Sequence, residues 1–107
     1  MIVTAWNKGN HSKTGSGYGL RIKISDRNML FKKNWKFVKI ILGKAKNHVE
    51  ININPSFWNK CSELRHKEIG SWFIKLGCSK WPKGKPPKFS MKQIKQKRFI
   101  VQPLHRY

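Results

Sequence analysis

The alternation of apolar and polar positions predicts strands in the first half of the chain. In residues 18–24, Tyr18, Leu20, Ile22 and Ile24 share one parity, and glycine or polar residues hold the other. This period of two is typical of a strand with one buried face and one solvated face. Further segments rich in β-branched and aromatic residues predict three more strands, at residues 2–6, 35–42 and 49–53.

The connections carry turn residues. Residues 8–17 are polar and glycine-rich, residues 25–28 have a turn composition, and residues 43–47 predict a hairpin loop. The glycine-rich loop does not match a phosphate-binding P-loop, because no lysine follows Gly15. Its backbone N–H groups remain a candidate anion-binding nest, with Lys8 and Lys13 beside them.

The apolar spacing then changes and predicts one main helix over residues 62–76. Ser62 is suited to cap its first turn, and an apolar stripe with helical spacing follows. Gly77 is a typical C-terminal stop. The tryptophans at four positions fall where core packing is expected, namely Trp6, Trp35, Trp58 and Trp72.

The remaining residues form a basic segment over 80–98, rich in proline and lysine, followed by a last strand at 99–101. The prolines predict an extended backbone between Trp81 and Phe89. Together these elements predict the α+β class, with an antiparallel sheet of four to five strands and one main helix packed on one face. At 107 residues, we expect a single small basic domain spanning 1–107.

The charge points to a polyanionic partner. The chain has 24 Lys and Arg against 4 Asp and Glu, a formal net charge of +20. Five Trp and six Phe argue against a disordered basic tail, which would be poor in aromatic residues. Neutralising phosphates releases counterions, so the leading hypothesis is a small nucleic-acid-binding protein that contacts the phosphate backbone. Codon usage in an AT-rich genome is the alternative source of the lysines.

The binding hypothesis centres on the 80–98 segment, where lysines interleave with Trp81 and Phe89. Cations can follow a phosphate backbone while exposed aromatic rings stack on bases. The alternative for both rings is packing under the loop as part of the core. The candidate nucleic-acid-binding residues are Lys8, Lys13, Arg21, Lys23, Lys80, Trp81, Lys83, Lys85, Lys88, Lys92, Lys95, Lys97 and Arg98.

Two other function classes stay open. The first is a small nuclease, with His11, His66, Glu63 and Asp26 as candidate catalytic residues. A metal-free, toxin-like ribonuclease would rely on histidine acid–base chemistry, and a metal-dependent DNase would need the scarce carboxylates to converge. The second is an interaction module for an acidic protein partner.

The cysteines favour a reduced environment. Cys61 and Cys78 would lie at opposite ends of the predicted helix, too far apart for a disulfide. No spacing typical of a metal site occurs, and we expect no cofactor. No signal peptide or membrane-length apolar run is visible, so a cytoplasmic location is expected, without membrane binding. DNA or RNA, one strand or two, and the oligomeric state are left open.

Overall fold

A computed structural model describes residues 1–9 and 14–105. Its strands are β1 (Ile2–Asn7), β2 (Tyr18–Arg21), β3 (Phe37–Leu42), β4 (Val49–Asn52), β5 (Glu63–Arg65), β6 (Lys88–Lys95) and β7 (Arg98–Pro103). Its α-helices are α1 (Ile24–Leu30) and α2 (Lys67–Leu76), and a 3-10 turn covers Pro55–Trp58.

All the strands belong to one mixed sheet, with the order β4-β3-β7-β6-β1-β2-β5. β3 and β7 run parallel, and the other neighbours are antiparallel. The edge strands β4 and β5 contact each other, so the sheet is nearly closed into a barrel. The expected antiparallel sheet of four to five strands with one main helix is therefore wrong: the sheet has seven strands and two short helices accompany it.

The core lies on the inner side of this curved sheet. Apolar side chains of one parity on each strand are buried, as the sequence alternation predicted for Tyr18 and Leu20. Ile24 breaks the pattern, since it begins α1 and is half exposed. Aromatic side chains form a large part of the interior, where Phe73 stacks on Phe89 and Phe31 stacks on Phe99.

The second helix begins later than the sequence predicts. Residues 63–65 form β5 instead, paired with β2, and Ser62 donates a hydrogen bond to the Ile22 carbonyl. His66 takes the capping role, because its Nδ1 accepts from the Glu68 N–H at 3.0 Å. The end of the helix is as predicted, with Gly77 in the left-handed region at φ 77°.

Two more segments form regular structure. Residues 25–28, predicted as a turn, lie within α1, where Arg27 donates to the Phe57 and Asn59 carbonyls. Part of the 80–98 segment is the strand β6, which pairs with both β1 and β7. In the described part of the chain, no helix is long and apolar enough to span a membrane.

Candidate nucleic-acid interface

A row of polar side chains crosses the outer side of the sheet at β6, β1, β2 and β5. The strand registers pair Lys88 with Thr4, Thr4 with Arg21, and Arg21 with Glu63. Because directly paired residues point to the same side of a sheet, these side chains lie side by side. We call the outward side of β1, β2 and β5 the basic outer face.

At the centre of this face, one carboxylate holds two guanidinium groups. Glu63 contacts Arg65 Nη2 at 3.1 Å and Arg21 Nε at 3.4 Å. The Glu63 side chain is only 2% exposed, whereas those of Arg21 and Arg65 are 56% and 47% exposed. We call these three residues the Arg–Glu–Arg array. The buried Glu63 orients both arginines, whose guanidinium groups still present N–H donors to solvent.

The aromatic ring of Trp6 packs against one arginine of the array. The Arg65 guanidinium lies over the Trp6 ring, 4.4 Å from its centroid. The two residues flank Gly19 in the strand register, and glycine has no side chain to separate them. A Cβ at Gly19 would lie 2.5 Å from the Leu64 carbonyl oxygen, so the close pairing of β2 with β5 itself requires glycine.

Two cavities lie at the two ends of the array. The first, of about 490 Å³, includes Arg21, Lys23, Lys60 and Lys88 among its lining, with apolar contributions such as Ile2. The second is about 330 Å³ and is lined by Trp6, Lys8, Ser16, Gly17, Tyr18, Arg65, His66 and Lys67. Each cavity thus combines cations with an apolar or aromatic wall, a combination that suits a phosphate joined to a base or sugar.

The structure brings some of the predicted binding residues together here and leaves others elsewhere. Lys8, Arg21, Lys23 and Lys88 line the two cavities. Lys13 lies outside the described residues. The exposed side chains of the remaining lysines are distributed over the 80–87 loop and β6, at Lys80, Lys83, Lys85, Lys92 and Lys95.

The aromatic rings of the basic segment point inward. Phe89 is fully buried, and its ring stacks on Phe73 with 5.2 Å between centroids. Trp81 is half-buried and packs edge-on against Tyr18 and Phe73. The Tyr18 hydroxyl also donates a hydrogen bond to the Ser79 carbonyl at 2.7 Å, which connects β2 to the residues just before Trp81. Of the two alternatives weighed for these rings, the core alternative fits the geometry, and Phe89 has no surface to offer a base.

A second group of cations surrounds Phe37 at the start of β3. Lys97 Nζ lies 4.9 Å from the centroid of that ring, and Lys39 Nζ lies at 6.0 Å. Arg98 pairs with Lys39 in the parallel register of β3 and β7. Lys97 and Arg98 therefore lie on a different part of the sheet from the Arg–Glu–Arg array.

The candidate catalytic residues occupy separate elements. Asp26 is in the first turn of α1, Glu63 is buried in β5 between its two arginines, and His66 caps α2. Glu63 and His66 do not share a helix face, because Glu63 belongs to a strand and His66 precedes the first turn of α2. His11 lies outside the described residues. Across residues 1–9 and 14–105, no three His, Cys, Asp or Glu side chains converge to hold a metal ion.

His66 also faces a larger groove between α2 and the β3–β4 turn. This groove is about 550 Å³ in volume and includes His48, Glu50 and Glu68 in its lining. Its two carboxylates offset Lys46 and Lys75 in the same lining, whereas the described linings of the two cavities at the array contain cations and no carboxylate. The groove is therefore a poorer candidate for a polyanion.

Sequence reasoning missed Arg65, Trp6, Lys60 and Lys67. The signal for Arg65 is the alternation of Glu63, Leu64 and Arg65, which fits a three-residue strand as well as a helix start. Trp6 was assigned to the core, although Val3 and Ala5 take the inward parity of β1 and leave Trp6 outside. Its pairing with Arg65 across Gly19 depends on the sheet order.

Comparison with known proteins gives no relative from which to transfer a role. No family model matches the chain, and no curated protein or solved structure matches it significantly.

Proposed function

We propose that this protein binds nucleic acid through the basic outer face. The observation that carries the proposal is the Arg–Glu–Arg array, in which the buried Glu63 orients two half-exposed guanidinium groups toward solvent. Guanidinium groups held in place are well suited to phosphate, because their N–H donors match its oxygens and less side-chain entropy is lost on binding.

The surrounding charge supports the same partner. Lysines from distant parts of the sequence, Lys8, Lys23, Lys60, Lys67 and Lys88, line the two cavities beside the array. Glu63 cancels one of the two positive charges in the array, so the array keeps a net charge of about +1. We therefore expect binding to weaken as salt concentration rises.

The test is a mobility-shift series with labelled single-stranded and double-stranded DNA and RNA over a range of salt concentrations. We compare the natural chain with the triple variant Lys23→Ala, Lys60→Ala, Lys88→Ala, which strips lysines from the first cavity. The matched control is Lys36→Ala, Lys44→Ala, Lys75→Ala, which removes the same charge from exposed positions elsewhere.

We expect the first variant to bind at least about tenfold more weakly and its salt slope to fall by roughly 0.7 to 0.9 per lost phosphate contact. The control variant should lose much less. Equal losses in both variants would mean that total charge, and not this face, determines binding. If no nucleic acid is shifted at low salt, the proposal is wrong, and shortened strands in the same lanes would reveal a nuclease.

A further inference from the structure

Building on the proposed function, we infer that the basic outer face is specific for single strands: the Arg–Glu–Arg array binds the backbone while the Arg65 guanidinium, supported by the Trp6 ring, stacks on an unpaired base. The inference rests on how the array, the aromatic ring and the two cavities are arranged.

The array leaves suitable donors unused. Each guanidinium carries five N–H groups, and the contacts to Glu63 involve Nε of Arg21 and Nη2 of Arg65. The side chains are about half exposed, so other N–H groups face solvent. Because a shared buried carboxylate holds both arginines, their spacing is set before any ligand arrives.

The offset of the two arginines along the strand direction matches the step of an extended single strand. Arg21 is paired with Glu63, whereas Arg65 lies two residues further along β5. Two residues of a strand span roughly 6.6 Å, which is comparable with the step between adjacent phosphates in an extended single strand. One phosphate at each arginine would thus place neighbouring nucleotides over the two cavities.

The wall of the second cavity favours an unpaired base over a duplex. Trp6 is half-buried and lines this cavity, and the Arg65 guanidinium over its ring adds a second flat, cationic surface. Bases stack on aromatic rings and on guanidinium planes with little regard to sequence. In a duplex, the faces of the bases are already stacked on each other, so only the phosphates remain for the array.

The contact between Arg65 and Trp6 prevents a base from inserting between the two side chains, because the base would have to displace the guanidinium. The 4.4 Å separation leaves no room for a third layer. We therefore place the base on the outer plane of the Arg65 guanidinium, which the Trp6 ring supports from the other side, within the second cavity, where Lys8 and Lys67 also contribute to the lining.

The first experiment measures affinity for a single strand of roughly 12 nucleotides and for a hairpin duplex of the same phosphate count. We compare the natural chain with Trp6→Phe and Trp6→Leu, after checking each fold by circular dichroism. We expect Trp6→Leu to bind the single strand about tenfold more weakly, Trp6→Phe to retain most of the affinity, and duplex affinity to change less than about twofold.

The second experiment uses Glu63→Gln, which keeps the shape of the side chain and removes its negative charge. If charge alone governs binding, this variant binds more tightly, because the net positive charge rises by one. If the array must be positioned by Glu63, the variant binds the single strand about threefold or more weakly despite its higher charge. Tighter binding would overturn the positioning role.

These results separate the present inference from the proposed function. Equal affinity for single strand and duplex, with no effect of Trp6→Leu, would overturn the single-strand inference and leave nucleic-acid binding intact. Absence of any nucleic-acid binding would overturn both. Stronger binding of a polyglutamate peptide than of the oligonucleotide at equal charge would also overturn both and assign the face to an acidic protein.

Discussion

The basic outer face and the loop of residues 80–87 contain the same kinds of residue but use them differently. On the outer face, Trp6 points outward and its neighbour Arg65 is fixed by Glu63. In the loop, Trp81 packs on Tyr18 and Phe73, and the lysines stand alone at the surface. The first region presents oriented groups to a ligand, whereas the second presents charge only.

The difference shows that the position of a lysine next to an aromatic residue in sequence says little about their joint function. The prolines at 82, 86 and 87 lead the chain into β6, so that Phe89 enters the core. Trp6 and Arg65 are far apart in sequence and meet only because β2 lies between β1 and β5.

The largest expected effect is on stability. Phe89→Ala removes a fully buried ring that stacks on Phe73, and we expect the free energy of unfolding to fall by about 3–5 kcal/mol. Trp6→Leu, on the outer face, should cost much less. Urea unfolding followed by circular dichroism measures both. An unchanged midpoint for Phe89→Ala, with nucleic-acid affinity reduced, would instead place this ring at the binding surface.

The next largest effect is on affinity for nucleic acid, when two lysines are removed from either region. Lys83→Ala with Lys85→Ala removes two loop cations, and Lys60→Ala with Lys88→Ala removes two cations from the first cavity. We expect the loop pair to weaken binding of the single strand by only about twofold and the cavity pair by about tenfold, because only the latter adjoin the oriented arginines. Fluorescence anisotropy at fixed salt checks this. A larger loss for the loop pair would move the interface to the loop.

The smallest effect concerns the two cysteines, one next to each region. Cys61 is exposed and follows Lys60, whereas Cys78 is buried shortly before the loop, and its burial raises the pKa of the thiol to about 11. Near pH 8, we expect iodoacetamide to label Cys61 rapidly and Cys78 slowly. The thiolate is the reactive form, and the buried Cys78 keeps its proton at this pH. Cys61→Ser should abolish the rapid phase in mass spectrometry, and bound oligonucleotide should slow it a few-fold. Rapid labelling that persists in Cys61→Ser would contradict the burial of Cys78.

Local patterns predicted much of the fold. The alternation of Tyr18 and Leu20 correctly indicated β2, and Gly77 marked the end of α2. The start of α2 was misplaced because Leu64 fits a helical stripe and an alternating strand equally well. Pairing with β2 decides between them, and that pairing is a tertiary interaction.

The candidate site was less predictable than the strands. Arg21, Lys23 and Lys88 were found from charge and alternation, and the structure groups them at one cavity. Glu63 was identified by the scarcity of acids, and the structure places it in contact with both Arg21 and Arg65. Register across three strands creates this arrangement, and no local sequence pattern encodes register between distant segments.

The parallel pairing of β3 with β7 has a consequence for how the chain is made. β7, residues 98–103, lies between β3 and β6 in the middle of the sheet. Until the ribosome has released this strand, β3 and β6 both lack the strand that lies between them, and each keeps an unpaired backbone edge. We therefore expect the sheet to form only after residue 103 has been synthesised, and to form slowly, because its closing contacts join residues far apart in sequence.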